Sequence, residues 1–154
     1  MKVFIMRHGE AQQFASSDSD RQLTSKGRQR SQEIARECSE LGYVHFDRVL
    51  VSPYIRAQQT WHEISAYLSV EYYETCEDIT PYGDAEKVVS YLSALADVHD
   101  VQTLLIVSHL PLVGYIAAEL IADISPPMFS TSGLMGIEYC PEKQKGNIIL
   151  EMNV

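Results

Sequence analysis

Residues 3–9 constrain this chain more tightly than any other stretch. Four consecutive apolar residues, Val3-Phe4-Ile5-Met6, end abruptly in Arg7-His8-Gly9. An unbroken apolar run of this length reads as a strand covered on both faces, the pattern of a parallel sheet between two helical layers. Such a strand is central in its sheet. Ligands of open α/β sheets bind outside the carboxyl ends of the strands, and here that end carries a permanent cation, an imidazole and a glycine.

The 154 residues make one domain's worth of chain, 1–154, with 45% hydrophobic and 21% charged residues and no low-complexity segment. Only four apolar residues separate Lys2 from Arg7, too few for a signal peptide, and no apolar run approaches the ~20 residues of a membrane span. A cytoplasmic protein is expected. Cys38, Cys76 and Cys140 form no C-x-x-C pair and read as reduced thiols. The net charge of −9 argues against nucleic acid as a partner. Nine of the twelve Lys and Arg nevertheless lie in the first 56 residues. Local cations on an acidic body suggest a small anionic ligand.

Along the chain, Glu10 to Gln22 is a polar loop that reads as a mobile lid over the first strand end. Leu23-Thr24-Ser25-Lys26-Gly27 leads into a helix with Ile34, Ala35, Cys38 and Leu41 on its apolar face, stopped by Gly42. A second strand, Val49-Leu50-Val51, is followed by Ser52-Pro53 as N-cap and first residue of a second helix. Arg56 in that helix's first turn opposes the helix dipole, so either a bound anion reverses the effect or the side chain is exposed and the misfit tolerated. Val70 to Thr75 alternates as a half-exposed strand. Asp84 caps a third helix with Val88, Leu92 and Leu95 inward, and Thr103 to Val107 is the most hydrophobic strand. It ends in Ser108-His109, before Pro111 opens a fourth helix. Leu134–Tyr139 and Asn147–Met152 form a hairpin around Gly146. The fold class is α/β, a three-layer α/β/α sandwich with a mainly parallel central sheet.

Three strand-to-helix transitions thus deliver Arg7-His8, Arg56 and His109, and right-handed crossovers bring them to one sheet edge. Two guanidiniums that grip oxyanions bidentately, beside two imidazoles, describe a phosphoryl site. His8, His45, His62, His99 and His109 show no metal-ligand spacing, so neither metal nor cofactor is expected. Arg21 in the loop is a candidate extra clamp or a plain surface residue.

Arg7-His8-Gly9, Leu23-Thr24 with Gly27, Ser52-Pro53 through Arg56-Ala57-Gln58-Gln59-Thr60, and Ser108-His109 resemble the successive signatures of the histidine phosphatase (phosphoglycerate mutase-like) superfamily. Thr80-Pro81-Tyr82-Gly83-Asp84, Ser108 to Tyr115 and Pro127-Met128-Phe129 resemble its small bacterial phosphohistidine phosphatases. The resemblance implies the phosphoglycerate mutase-like fold and a nucleophilic His8 that takes up the phosphoryl group. It implies Arg7, Arg56 and His109 as clamps, and a substrate phosphorylated on histidine, such as the phosphotransfer domain of a two-component signalling phosphorelay. His8 would attack as neutral imidazole, and His109 would act as a cation when the dianion arrives.

Mutases and sugar-phosphate phosphatases of the superfamily carry a glutamate general acid before the third helix. This chain offers Glu77 and Asp78 there, with Asp78 the candidate acid. Small-molecule ester hydrolysis and non-catalytic reading of a phosphoprotein stand as the alternatives, although an intact His8 disfavours the reader.

Overall fold

The computed structural model describes residues 1–154. In chain order the elements are β1 (Lys2–Arg7), α1 (Ser25–Glu40), β2 (His45–Val51), α2 (Ile55–Ile64), β3 (Ser69–Thr75), α3 (Ala85–His99), β4 (Thr103–Ser108), α4 (Leu112–Leu120), β5 (Leu134–Cys140) and β6 (Lys145–Met152). They build one six-stranded sheet in the order β3-β2-β4-β1-β5-β6. Strands β3, β2, β4 and β1 run parallel, and β5 pairs antiparallel to both β1 and β6. No helix is long and apolar enough to cross a membrane.

The period of two along each strand sorts the core into two layers. Val3 and Ile5 of β1, Leu50 of β2, and Leu104 and Ile106 of β4 face one way, onto α3 and α4 through Val88, Leu92, Val113 and Ile116. Phe4 and Met6, Val49 and Val51, and Leu105 and Val107 face the other way, onto α1 and α2 through Ile34, Ala35, Ala57 and Ile64. Both faces of the central strands are therefore dry, which is why their sequences show no polar alternation. Burying each such side chain is worth roughly 1.5–3 kcal/mol.

The same pairing aligns the strand ends. Arg7 lies opposite Ser108 and Val51 opposite Val107. The first residues beyond the strands continue the register, with His8 N donating to Ser108 O at 2.9 Å and Ser52 N to Val107 O at 3.0 Å. Three chain segments remote in sequence thus emerge side by side.

Three local expectations change. Helix α2 starts at Ile55 with Tyr54 as its N-cap, not at Pro53 after a Ser52 cap; Ser52 Oγ accepts from Tyr54 N in the turn that precedes the helix. The hairpin turn is residues 141–144, and Gly146 sits inside β6 opposite Tyr139. A Cβ there would lie 2.8 Å from Leu120 O, so glycine serves close packing and not the turn. The loop from Glu10 to Gln22 is clasped, not loose: Ala11 bridges Leu23, and Gln12 N donates to Gln22 O at 2.8 Å.

Candidate active site

His8 follows β1 and is only 6% exposed. Its Nδ1 lies 2.7 Å from Gly9 O. A carbonyl can only accept, so Nδ1 carries the ring proton and Nε2 keeps its lone pair. Burial pushes the His8 pKa down; the Gly9 carbonyl opposes this, the guanidiniums of Arg56, Arg7 and Arg21 reinforce it, and the result is about 3. At neutral pH the His8 ring is unprotonated on Nε2 and held in one tautomer, the state a nucleophilic imidazole requires.

The backbone that places it is tightly packed. A Cβ on Gly9 would lie 2.7 Å from Gly27 O, and one on Gly27 would lie 2.1 Å from Glu10 O, so both glycines are required where the β1 loop crosses the start of α1. Gly9 N donates to Thr60 Oγ1 at 3.0 Å, and that hydroxyl donates to Arg56 O at 2.7 Å. Thr60 therefore couples the nucleophile's loop to the first turn of α2.

Arg56, 4% exposed, donates from Nε to His8 Nε2 at 3.2 Å. The anion that compensates it is Asp18. Nη1 donates to Asp18 O at 2.6 Å and Nη2 to Asp18 Oδ2 at 3.2 Å. Arg21 does not join the cluster directly. It donates to Asp18 Oδ1 at 3.0 Å and, through Nε, to Gln12 O at 2.6 Å, and so holds the loop that holds Arg56.

His109 follows β4 and is 1% exposed, with its ring centroid 5.1 Å from that of His8. Its Nε2 lies 2.7 Å from Ser52 Oγ, which also accepts from Tyr54 N. Either atom of that pair can donate, and the other ring nitrogen, Nδ1, is buried with no protein partner. Burial, then His8 and Arg56, lower the His109 pKa to about 2, with Asp18 opposing. The protein without substrate thus holds His109 neutral, not cationic. Arg7 is fixed by Nη1 donating to Phe129 O at 2.8 Å, and its buried Nε has no partner. Two unpaired buried nitrogens, Arg7 Nε and His109 Nδ1, accompany His8 Nε2, whose one contact is the Arg56 guanidinium. An oxyanion oxygen satisfies such a nitrogen when it carries a proton.

Glu77 and Asp78 are not in the cluster. Asp78 Oδ1 accepts from Lys87 Nζ at 2.8 Å beside α3, and both acids are exposed. Sequence reasoning missed Asp18, Ser52, Thr60 and the Phe129 carbonyl as parts of the site. The opposed dipole at Arg56 was the one signal that a partner such as Asp18 exists. His45, Asp47 and Glu71 gather within 4.8 Å at the opposite, amino end of β2 and β3. Adjacent strands create that group, which no spacing along the chain displays. Asp47 Oδ2 is already occupied there by the backbone N–H groups of Gln102 and Thr103.

Residues 3–80 match the model of the histidine phosphatase superfamily (branch 1). A phosphohistidine phosphatase SixA homolog of Haemophilus influenzae is 46% identical over 136 residues, covering 84% of this chain and 82% of the relative. The chain belongs to the histidine phosphatase superfamily. The phosphohistidine phosphatase SixA of Escherichia coli is 44% identical over 138 residues, 89% of this chain and 84% of that one. A solved structure of the protein histidine phosphatase SixA complexed with tungstate superposes with a TM-score of 0.92 at 42% identity, covering 99% of this chain and 97% of the other. The fold of this histidine phosphatase is accordingly phosphoglycerate mutase-like, with helices on both sides of a mixed sheet.

A histidine phosphatase that buries neutral imidazoles carries an acid liability. Below pH 6.5 the unfolded chain takes up a proton at His8 that the folded chain refuses until about pH 3. Stability therefore falls as pH drops through that window, by about 2 kcal/mol at pH 5 from His8 alone. Urea denaturation at pH 7 and pH 5 should show a smaller acid loss in His8→Ala than in the wild type. Equal losses in both proteins would mean that His8 is not held neutral.

Proposed function

We propose that this chain is a metal-independent phosphohistidine phosphatase. It removes the phosphoryl group from a histidine of a signalling protein, such as a histidine phosphotransfer domain, through a covalent phospho-His8 intermediate. Arg7, Arg56 and His109 would hold the phosphoryl oxygens. The observation that carries this reading is the unprotonated Nε2 of His8, which accepts from the Arg56 guanidinium at 3.2 Å, while the carboxylate on that same guanidinium, Asp18, is held below the usual carboxylate range and has no proton to give a leaving group. An alkoxide leaving group has a conjugate acid near water's pKa of ~15.7, and its protonation in the transition state is worth about 10²–10⁴-fold. Imidazole leaves with a conjugate acid near 6.5, and the transfer merely exchanges one histidine for another. A site without an acid suits phosphohistidine. The relatives named as phosphohistidine phosphatases support the same choice.

Access supports a protein substrate. The larger clefts of the molecule, of about 520 and 600 Å³, lie elsewhere, and Arg7, His8, Arg56 and His109 line none of them. A small sugar phosphate favours an enclosed cleft of that kind, whereas a phosphorylated side chain presented on another protein needs a subsite for its phosphoryl group alone. The guanidiniums also supply the positive charge that a divalent ion brings to other phosphoryl sites, and they repel such an ion.

The test offers the protein a histidine-phosphorylated phosphotransfer domain beside a panel of alkyl and aryl phosphates, with and without EDTA. Phosphate release should be fastest from phosphohistidine, persist in EDTA and survive Glu77→Gln with Asp78→Asn. Preference for alkyl phosphates would favour the small-molecule reading, and stoichiometric binding without release would favour the reader.

A further inference from the structure

Asp18 is the one carboxylate that hydrogen-bonds to any of the four clustered residues, and it occupies an unusual position there. Its carboxylate is 48% exposed while the Arg56 side chain it touches is 5% exposed. Arg56 and Arg21 each take one of its oxygens, at 3.2 and 3.0 Å, so the group is fixed from two sides yet faces solvent at the rim. A single guanidinium connects it to His8 Nε2. Its charge also reaches the second imidazole of the site, since Asp18 opposes the lowering of the His109 pKa.

Compensation of Arg56 alone does not require this arrangement. The Asp18 backbone carbonyl already accepts from Arg56 Nη1 at 2.6 Å, and a neutral side chain could serve Nη2 as an acceptor. What a neutral side chain lacks is charge at the rim. Burial would push the Asp18 pKa up, but the hydrogen bonds from Arg21 and Arg56 prevail and hold it below the usual carboxylate range. Asp18 therefore stays ionised at neutral pH. It cannot give a proton to a departing alkoxide, and it can accept a hydrogen bond.

We propose that Asp18 is a specificity-determining residue that accepts the imidazole N–H of a phosphohistidine substrate and disfavours phosphate esters. The assignment rests on the phosphohistidine reading above. In the transfer, the bond from the substrate imidazole nitrogen to phosphorus breaks as the bond from His8 Nε2 to phosphorus forms. The electron pair of the broken bond returns to the substrate ring, which carries its proton on the other nitrogen throughout. That N–H faces the Asp18 carboxylate as the ring changes from imidazolium to neutral imidazole. Water then takes the phosphoryl group from His8, yielding phosphate and restoring the free Nε2.

For an ester the sign reverses. Its leaving oxygen starts neutral and gains negative charge beside a fixed negative charge, whereas the phosphohistidine ring approaches Asp18 as a cation; competition of the phosphoryl group with Asp18 for the Arg56 fork is common to both substrates.

The experiment compares wild type, Asp18→Asn and Asp18→Glu on a histidine-phosphorylated phosphotransfer domain and on p-nitrophenyl phosphate. Asp18→Asn should lower kcat/KM for the phosphoprotein by about 10- to 100-fold, the weight of one charge-assisted hydrogen bond. The same variant should lower KM for the ester, and Asp18→Glu should restore part of the phosphoprotein rate. Tungstate binding and thermal unfolding verify that each variant is folded. Equal losses on both substrates would overturn the proposal, because Asp18 would then act only by placing Arg56. Unchanged kinetics on both would overturn it as well. A wild type that hydrolyses the ester but not the phosphoprotein would instead defeat the phosphohistidine reading itself, and this assignment with it.

Discussion

Replacing His8 with alanine should abolish phosphoryl transfer, with an expected loss in kcat on the order of 10⁴-fold or more, as for removal of other covalent nucleophiles. The expectation follows from three features of the ring. Nδ1 is spent on Gly9 O, so only Nε2 can attack. Burial and the surrounding guanidiniums keep it unprotonated across the physiological range. The residue itself is only 6% exposed, so water does not readily replace it as the group that receives phosphorus. Rapid quenching of wild type with phosphoprotein should trap a phosphorylated, acid-labile enzyme, and the variant should yield none. Retained activity in His8→Ala would place the nucleophile elsewhere.

Arg56→Ala should cost about 10²–10³-fold in kcat/KM, the scale of losing a fixed donor to the transferring phosphoryl group. Its stability should change by no more than about 1 kcal/mol, because two effects oppose each other. The cation sits in the first turn of α2, against the helix dipole, and is 4% exposed; removing it relieves that burden. The ion pair with Asp18 is lost, but the carboxylate left behind is half solvated and needs no protein partner. Arg56→Lys should fail nearly as badly as alanine, since a single ammonium cannot serve His8 Nε2, Asp18 O and Asp18 Oδ2 in one plane. Thermal unfolding and steady-state kinetics on the same preparations separate the two effects. A large loss of stability with catalysis nearly intact would show Arg56 to be structural.

The fold was legible because its central strands are buried on both faces. Val3 to Met6 and Thr103 to Val107 carry no polar alternation, and only a sheet between two helical layers tolerates that. The edge strand was legible for the opposite reason: the alternation of β3 reflects a strand mostly open to solvent. Boundaries were less legible, as Ser52 illustrates. Ser-Pro before a helical pattern normally signals a cap, but here the hydroxyl meets His109, 57 residues away, at 2.7 Å.

Within the site, Arg7, His8, Arg56 and His109 were readable from sequence because Arg7 ends an apolar strand, His8 and His109 follow one directly and Arg56 opens the helix after one, and parallel pairing sends such residues to one edge. Chain order and local pattern therefore determined which groups meet. Tertiary structure alone decided what each group does there. The choice of Nε2 as the free nitrogen depends on a carbonyl orientation at Gly9, and the neutrality of His109 depends on burial and on its neighbours' charges. Asp18 stands in a polar loop without periodicity, 38 residues from Arg56, and no local rule marks it. Backbone pattern is a short-range property carried by adjacent residues, whereas protonation and ion pairing depend on distances that exist only once the chain is folded.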